Sequence, residues 1–192
     1  MTQSPCTGES MEALVKAESA AVEMYRFAAL MLGSETEALD LVESTVAGVE
    51  IDPCADPGAV KGLVRARVLD GALKIMQQQD PASFADLPAT KPGGSCIEDD
   101  DTVPLSRAEI SELVAGAGRG PLRDWLARLS QAQRAVFVQR AVLGSSNADT
   151  AQAINRHSRP SIWTAEAVSS LFRQALCSLA SSLVHSAAAA HI

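Results

Sequence analysis

The sequence predicts an all-α protein of two small helical domains joined by an acidic linker that contains proline and glycine. Three observations predict it. The hydrophobic share of 47% comes mainly from Ala, Val and Leu, aromatics make up 4%, and the Ile, Val, Tyr and Phe runs that build strands are missing. Apolar residues recur at three- and four-residue steps in several separate stretches, the spacing of helix faces. Between those stretches lie Pro81, Pro88, Pro92, Gly93, Gly94, Pro104 and the run Glu98, Asp99, Asp100, Asp101, a composition that cannot bury enough apolar surface for a core. The length of 192 residues permits one domain or two. The pattern divides it into a helical domain over 9–80, a linker with a short helix over 81–120, and a second helical domain over 121–185.

In the first domain, Leu14, Ala21, Val22, Tyr25, Ala28, Ala29 and Leu32 line one face of a helix from Met11 to Leu32, and Gly33 ends it. Ser34 and Glu37 form a capping box that opens a second helix, whose stripe is Ala38, Leu41, Val42, Thr45, Val46 and Val49. Asp-Pro occurs twice between Ile51 and Gly58 and turns the chain. A third helix follows, with Val60, Leu63, Val64, Val68, Ala72, Ile75 and Met76 inward and Lys61, Arg65, Arg67 and Lys74 around its exposed sides.

Within the linker, Ser106 and Glu109 open a short helix to about Val114, and Gly116, Gly118 and Gly120 dissolve it. Pro121 suits the first turn of the next helix, which carries Leu122, Trp125, Leu126 and Leu129. Ser130 and Gln133 make a further capping box, and the helix they open runs through Ala135, Val136, Val138, Val142 and Leu143 to Gly144. Asn147 is positioned to cap a short helix over Ala148–Arg156. After a turn holding Arg159, Pro160 and Trp163, Thr164 caps a longer helix striped with Val168, Leu171, Phe172, Ala175, Leu176, Leu179 and Leu183. A short helix, a turn and a longer helix behind two supporting helices make a helix-turn-helix domain.

The net charge of -7 argues against indiscriminate binding to nucleic acid, which needs a basic face. Its distribution is uneven. From Gly120 onward Arg123, Arg128, Arg134, Arg140, Arg156, Arg159 and Arg173 face only Asp124, Asp149 and Glu166, so this part is locally cationic. Cys6, Cys54, Cys96 and Cys177 form no CxxC pair and stand in no ligand spacing to His157, His185 or His191, so isolated thiols and no metal or cofactor are expected. The start of the chain lacks a basic and an apolar leader segment, and no stretch reaches the roughly 18 apolar residues of a membrane span, so a cytoplasmic location is expected. Enzymatic chemistry is not expected: Asp40 and Glu43, the closest acid pair on one helix face, have no His or Ser partner, and the glycines at 116, 118 and 120 lack the Lys-Ser/Thr sequel of a phosphate loop.

Both halves of the chain resemble, in the right order, the extracytoplasmic-function class of bacterial sigma factors. Tyr25–Ser44, YRFAALMLGSETEALDLVES, looks like that family's opening "Leu-x-Gly, acidic-Ala-x-Asp-Leu-Val" segment. Leu126–Leu143, LARLSQAQRAVFVQRAVL, is similar to the entry to its second DNA-binding region through Gln133, Arg134, Val136, Phe137 and Arg140. The resemblance implies a region 2-like bundle and a region 4-like helix-turn-helix. It further implies that Asp40, Leu41, Val42 and Glu43 meet core RNA polymerase and that Lys61, Arg65, Arg67 and Lys74 touch promoter DNA near the start site. Arg134, Arg140, Arg156, Arg159, Ser169 and Arg173 would face the upstream promoter element, and an anti-sigma protein would be a further partner.

The chain departs from the family pattern where DNA would be touched. Ser169, Leu171, Gln174 and Leu176 stand at positions where the family's reading helix carries bases, leaving Arg173 as its base, and the turn 157–164 is about four residues too long for the pattern. Each lost phosphate contact removes about 0.9 from the salt slope of binding, so isolated DNA binding is expected to be weak. Two functions follow from these readings. One is a sigma factor that directs polymerase to promoters; the alternative is a sigma-like regulator that has lost DNA reading and binds polymerase or a sigma factor.

Overall fold

The computed structural model describes residues 10–50, 55–85, 119–158 and 162–189. Among these the elements are all helical: α1 (Ser10–Leu32), α2 (Glu35–Ala47), α3 (Pro57–Gln79), α4 (Pro81–Ala85), α5 (Arg119–Arg128), α6 (Gln131–Phe137) running into a π-helical turn (Val138–Val142), α7 (Asn147–Asn155) and α8 (Ala165–Ala189). No described helix is long and apolar enough to cross a membrane. The chain divides into two compact units, 1–72 and 73–192, with the division inside α3.

In the first unit, α1 and α2 pack as a helical hairpin whose corner is set by two local devices. Gly33 takes φ 72°, where a side chain would be strained, and its N–H reaches Ala29 O at 2.9 Å. Ser34 is extended and its hydroxyl accepts from Glu37 N at 3.3 Å. The buried side of α1 holds Ala28, Ala29 and Leu32 of the expected stripe and adds Met24, Phe27, Leu30 and Met31, while Ala21 and Val22 are exposed. The reason is that all of Phe27 to Leu32 is buried, so the apolar arc is wider than one stripe and its centre is shifted by a turn's fraction. On α2, Ala38 and Val42 are buried while Val46 is 44% exposed.

α3 opens where Asp56 Oδ2 accepts from Ala59 N at 2.8 Å. Val64, Val68 and Ala72, four residues apart, face the core, whereas Leu63, expected inward, is 46% exposed. α2 and α3 approach closely at Gly71, where a β-carbon would lie 2.6 Å from Leu41 Cδ1.

The second unit begins with the last turns of α3, where Leu73 and Met76 are buried. Residues 81–85, whose composition reads as the start of a linker, form α4 instead. The cause is Phe84, 2% exposed, which packs against Trp163 with ring centroids 6.3 Å apart. The remainder of the expected linker, 86–118, with its acidic run and its short helix, lies outside the described residues.

The core of this unit is an aromatic file. Trp125 meets Phe137 edge-on at 4.8 Å, and Phe137 lies 6.2 Å from Phe172. Ser130 and Gln133 form the reciprocal capping box at the start of α6. Beyond Phe137 the helix widens: Leu143 N bonds Val138 O at 3.0 Å and Ser145 N bonds Gln139 O at 2.9 Å, and Gly144 at φ 69° stops it. Ser146, rather than Asn147, caps α7 by accepting from Asp149 N at 3.0 Å. Thr164 caps α8, its hydroxyl accepting from Ala167 N at 3.2 Å. Leu171 and Leu176 are 4% and 3% exposed, so they belong to the core and not to an outward reading face. Cys177 is disulfide-bonded, which corrects the expectation of isolated thiols, and Cys6, Cys54 and Cys96 lie outside the described residues.

Candidate functional site

Two surfaces carry the residues singled out by sequence. The first is α2. Asp40 and Glu43 are exposed, Leu41 is half-buried and rests on Gly71, and Val42 is 6% exposed. Val42 therefore serves the core, since a side chain that covered cannot also be the contact surface. Sequence reasoning missed Leu39 and Val46, which are 48% and 44% exposed and one heptad apart on the outward side. Leu39 lies off the expected stripe, whereas Val46 was expected on it and its exposure corrects that expectation. Together Leu39, Asp40, Glu43 and Val46 make an outward face that is apolar and acidic, with Glu35 in its first turn.

The bases of α3 do not make one strip. Lys61 and Arg65 share a side through their four-residue spacing, and Lys61 Nζ pairs with Glu23 Oε2 at 2.6 Å across to α1. Arg67 is exposed off that side, and Lys74 falls in the second unit.

The second surface is formed by α7, α8 and the described residues between them, with 159–161 outside the described residues. The turn is held by a side-chain clamp: Asn155 Nδ2 donates to Trp163 O at 2.8 Å and Trp163 N donates to Asn155 Oδ1 at 3.1 Å. This reciprocal pair mimics a strand-like ladder and satisfies both main-chain groups where no helix can. Trp163 itself is 3% exposed. A shallow, open depression of about 240 Å³ lies between the start of α7 and the first turns of α8, lined by Asn147, Ala165, Glu166, Ser169 and Arg173. Ser169 and Arg173 thus border one depression, and Glu166 borders it with them. The Glu166 carboxyl is held below the usual glutamate range by its own backbone N–H and by the Thr164 hydroxyl.

The arginines expected to converge on DNA separate into two kinds. Arg134 Nε donates to Leu126 O at 3.1 Å, a carbonyl near the end of α5 that also receives Leu129 N, and its partial burial lowers its pKa from the usual arginine value. Arg140 lies over the Phe172 ring at 5.3 Å and donates to Ser145 O. Both are internal ties. Arg156 is exposed at the end of α7, while Arg159 lies outside the described residues.

Among the described residues no group of His, Cys, Asp and Glu is placed to hold a metal ion. No protein-family profile, curated protein or solved structure matches the chain.

Proposed function

We propose that the chain is a sigma-type transcription protein that binds core RNA polymerase through the outward side of α2 and carries α7 and α8 to promoter DNA within the assembled holoenzyme. The observation that carries this reading is the α2 face: the segment whose sequence resembles the polymerase-contacting segment of the family presents Leu39, Asp40, Glu43 and Val46 to solvent together. Two large apolar side chains exposed on one side of a short, capped helix, with acids at their edge, support a protein-binding use of that side. The helix-turn-helix architecture, with its clamped turn, supports the second half of the reading.

DNA affinity in this reading comes from the holoenzyme, because the outward side of α8 offers Arg173 against Glu166 and little else that is charged. That same observation favours a second reading, in which the protein keeps the polymerase contact, has lost promoter reading, and regulates by occupying polymerase or a sigma factor. Pull-down with purified bacterial core polymerase followed by run-off transcription on a promoter library separates the two. Initiation from a subset of promoters supports the first; core binding with no initiation anywhere supports the second.

A further inference from the structure

We propose that Cys177 is a thiol–disulfide switch that governs access to the outward row of α8. Ser169, Arg173 and Cys177 follow one another at four-residue spacing, so they lie in one row along the helix. All three are half-buried, while the core side of the same helix holds Val168, Phe172, Ala175 and Leu179, none more than 5% exposed. Ser169 and Arg173 border the depression beside the start of α7, and Cys177, which continues their row, is disulfide-bonded.

The bond joins Cys177 to a residue distant in sequence, because the other cysteines of the chain are Cys6, Cys54 and Cys96. In the disulfide form position 177 therefore carries a second cysteine and the chain attached to it. In the dithiol form it carries a sulfhydryl alone. The row of Ser169 and Arg173 is encumbered at Cys177 in one state and bare in the other.

Two observations separate a switch from a structural staple. The turn of α8 that carries Cys177 has its own seat in the core, with Leu176 and Leu179 buried and Ser178 accepting from Trp125 Nε1 at 3.2 Å. Cys177 itself is half-buried rather than enclosed, which leaves it within reach of a small thiol. The remaining step rests on the polymerase reading above: a protein that works on RNA polymerase does so where thiol pools keep cysteines reduced, and disulfides there are for the most part transient and redox-sensing. The reaction is exchange with a dithiol. Its thiolate attacks one sulfur of the bond to give a mixed disulfide, its second thiol closes the ring, and two electrons and two protons pass to Cys177 and its partner.

Redox titration of the full chain without denaturant, polymerase or DNA tests the switch. Core polymerase binding, measured separately, decides the reading it rests on, and none of these readouts uses it. Dithiothreitol is the reductant, iodoacetamide with mass spectrometry counts the Cys177 thiol, and an arginine-selective dicarbonyl reports access to Arg173. We expect Cys177 to be blocked to iodoacetamide before reduction, labelled after it, and blocked again on reoxidation. Arg173 modification should accelerate by at least about tenfold on reduction, and Cys177→Ser should show the fast rate without reductant. Amide exchange at Phe172 should be the same in both states, since the fold of α8 does not change. Cys177 that labels without reductant, or resists reduction until the protein is unfolded, overturns the proposal. So does an Arg173 rate unmoved by reduction, or exchange at Phe172 that rises with it, which would make the bond a staple of the fold.

Discussion

Arg140 lies 5.3 Å over the ring of Phe172 and donates through Nη1 to the main-chain carbonyl of Ser145, so one guanidinium ties the π-helical turn to α8 and to the chain beyond it. A cation over an aromatic face contributes about 0.5–2 kcal/mol, and a hydrogen bond from a charged donor about 1.5–3 kcal/mol. Arg140→Ala is expected to destabilise the protein by about 2 kcal/mol in urea unfolding. The salt dependence of any DNA binding should not change. Unaltered stability with a salt slope reduced by about 0.9 would show instead that Arg140 meets phosphate.

Asn155→Ala removes both bonds that hold Trp163 N and O. Leaving two main-chain groups without their partner costs about 1–3 kcal/mol, since Trp163 is buried and water does not replace Asn155 fully. Thermal unfolding should register the loss, and Asn155→Asp, which keeps an acceptor for Trp163 N but no donor for Trp163 O, should fall between the two.

Local chemistry was legible in the sequence where a residue and its partner are three or four positions apart. Ser34 with Glu37, Ser130 with Gln133, Thr164 with Ala167, and the stops at Gly33 and Gly144 were readable because a cap or a left-handed glycine needs only its neighbours. The seat of Phe84 was not. Its partner Trp163 is 79 positions away, and a lone aromatic among Pro, Ala, Ser and Asp carries no periodic signal. The internal contacts of the arginines were hidden for a related reason: Arg134 and Arg140 look cationic in any window, and only the fold reveals that Arg134 donates to a carbonyl at Leu126 and that Arg140 lies over the ring of Phe172. Leu171 and Leu176 already lay on the α8 core stripe, and matching them to outward family positions contradicted that stripe. The exposed apolar pair on α2 was visible in outline, but helical spacing alone cannot say where the covered arc of a short helix ends.

Gly71→Val should disturb α2 through α3. A β-carbon there meets Leu41 Cδ1 at 2.6 Å, and overpacking of this kind costs about 1–3 kcal/mol. Leu41→Ala makes the missing room. A double-mutant cycle is expected to give a favourable coupling of about 1 kcal/mol between the two changes, read from urea midpoints; strictly additive values would mean that Leu41 simply swings aside.

Acid should loosen the start of α8. Glu166 accepts from its own backbone N–H and from Thr164, which depresses its folded pKa below the ordinary glutamate value. Its contribution is therefore fully present above the ordinary glutamate value and is lost as the pH falls through the lower folded one. A carboxyl NMR titration checks the direction. Thr164→Ala should move the Glu166 midpoint upward and, separately, cost about 1 kcal/mol through the lost cap on Ala167 N. A midpoint at or above the ordinary value in the unaltered protein contradicts the assignment.

The affinity of the full chain for purified bacterial core RNA polymerase, measured beside the double variant Leu39→Asp, Val46→Asp, bears most directly on the proposed function. Both side chains are exposed, so the variant should keep the unfolding midpoint of the parent. We expect saturable binding by the parent and a loss of at least about tenfold in the variant, equivalent to about 1.4 kcal/mol. Absence of binding by the parent, or undiminished binding by the folded variant, would contradict a polymerase-docking role for α2.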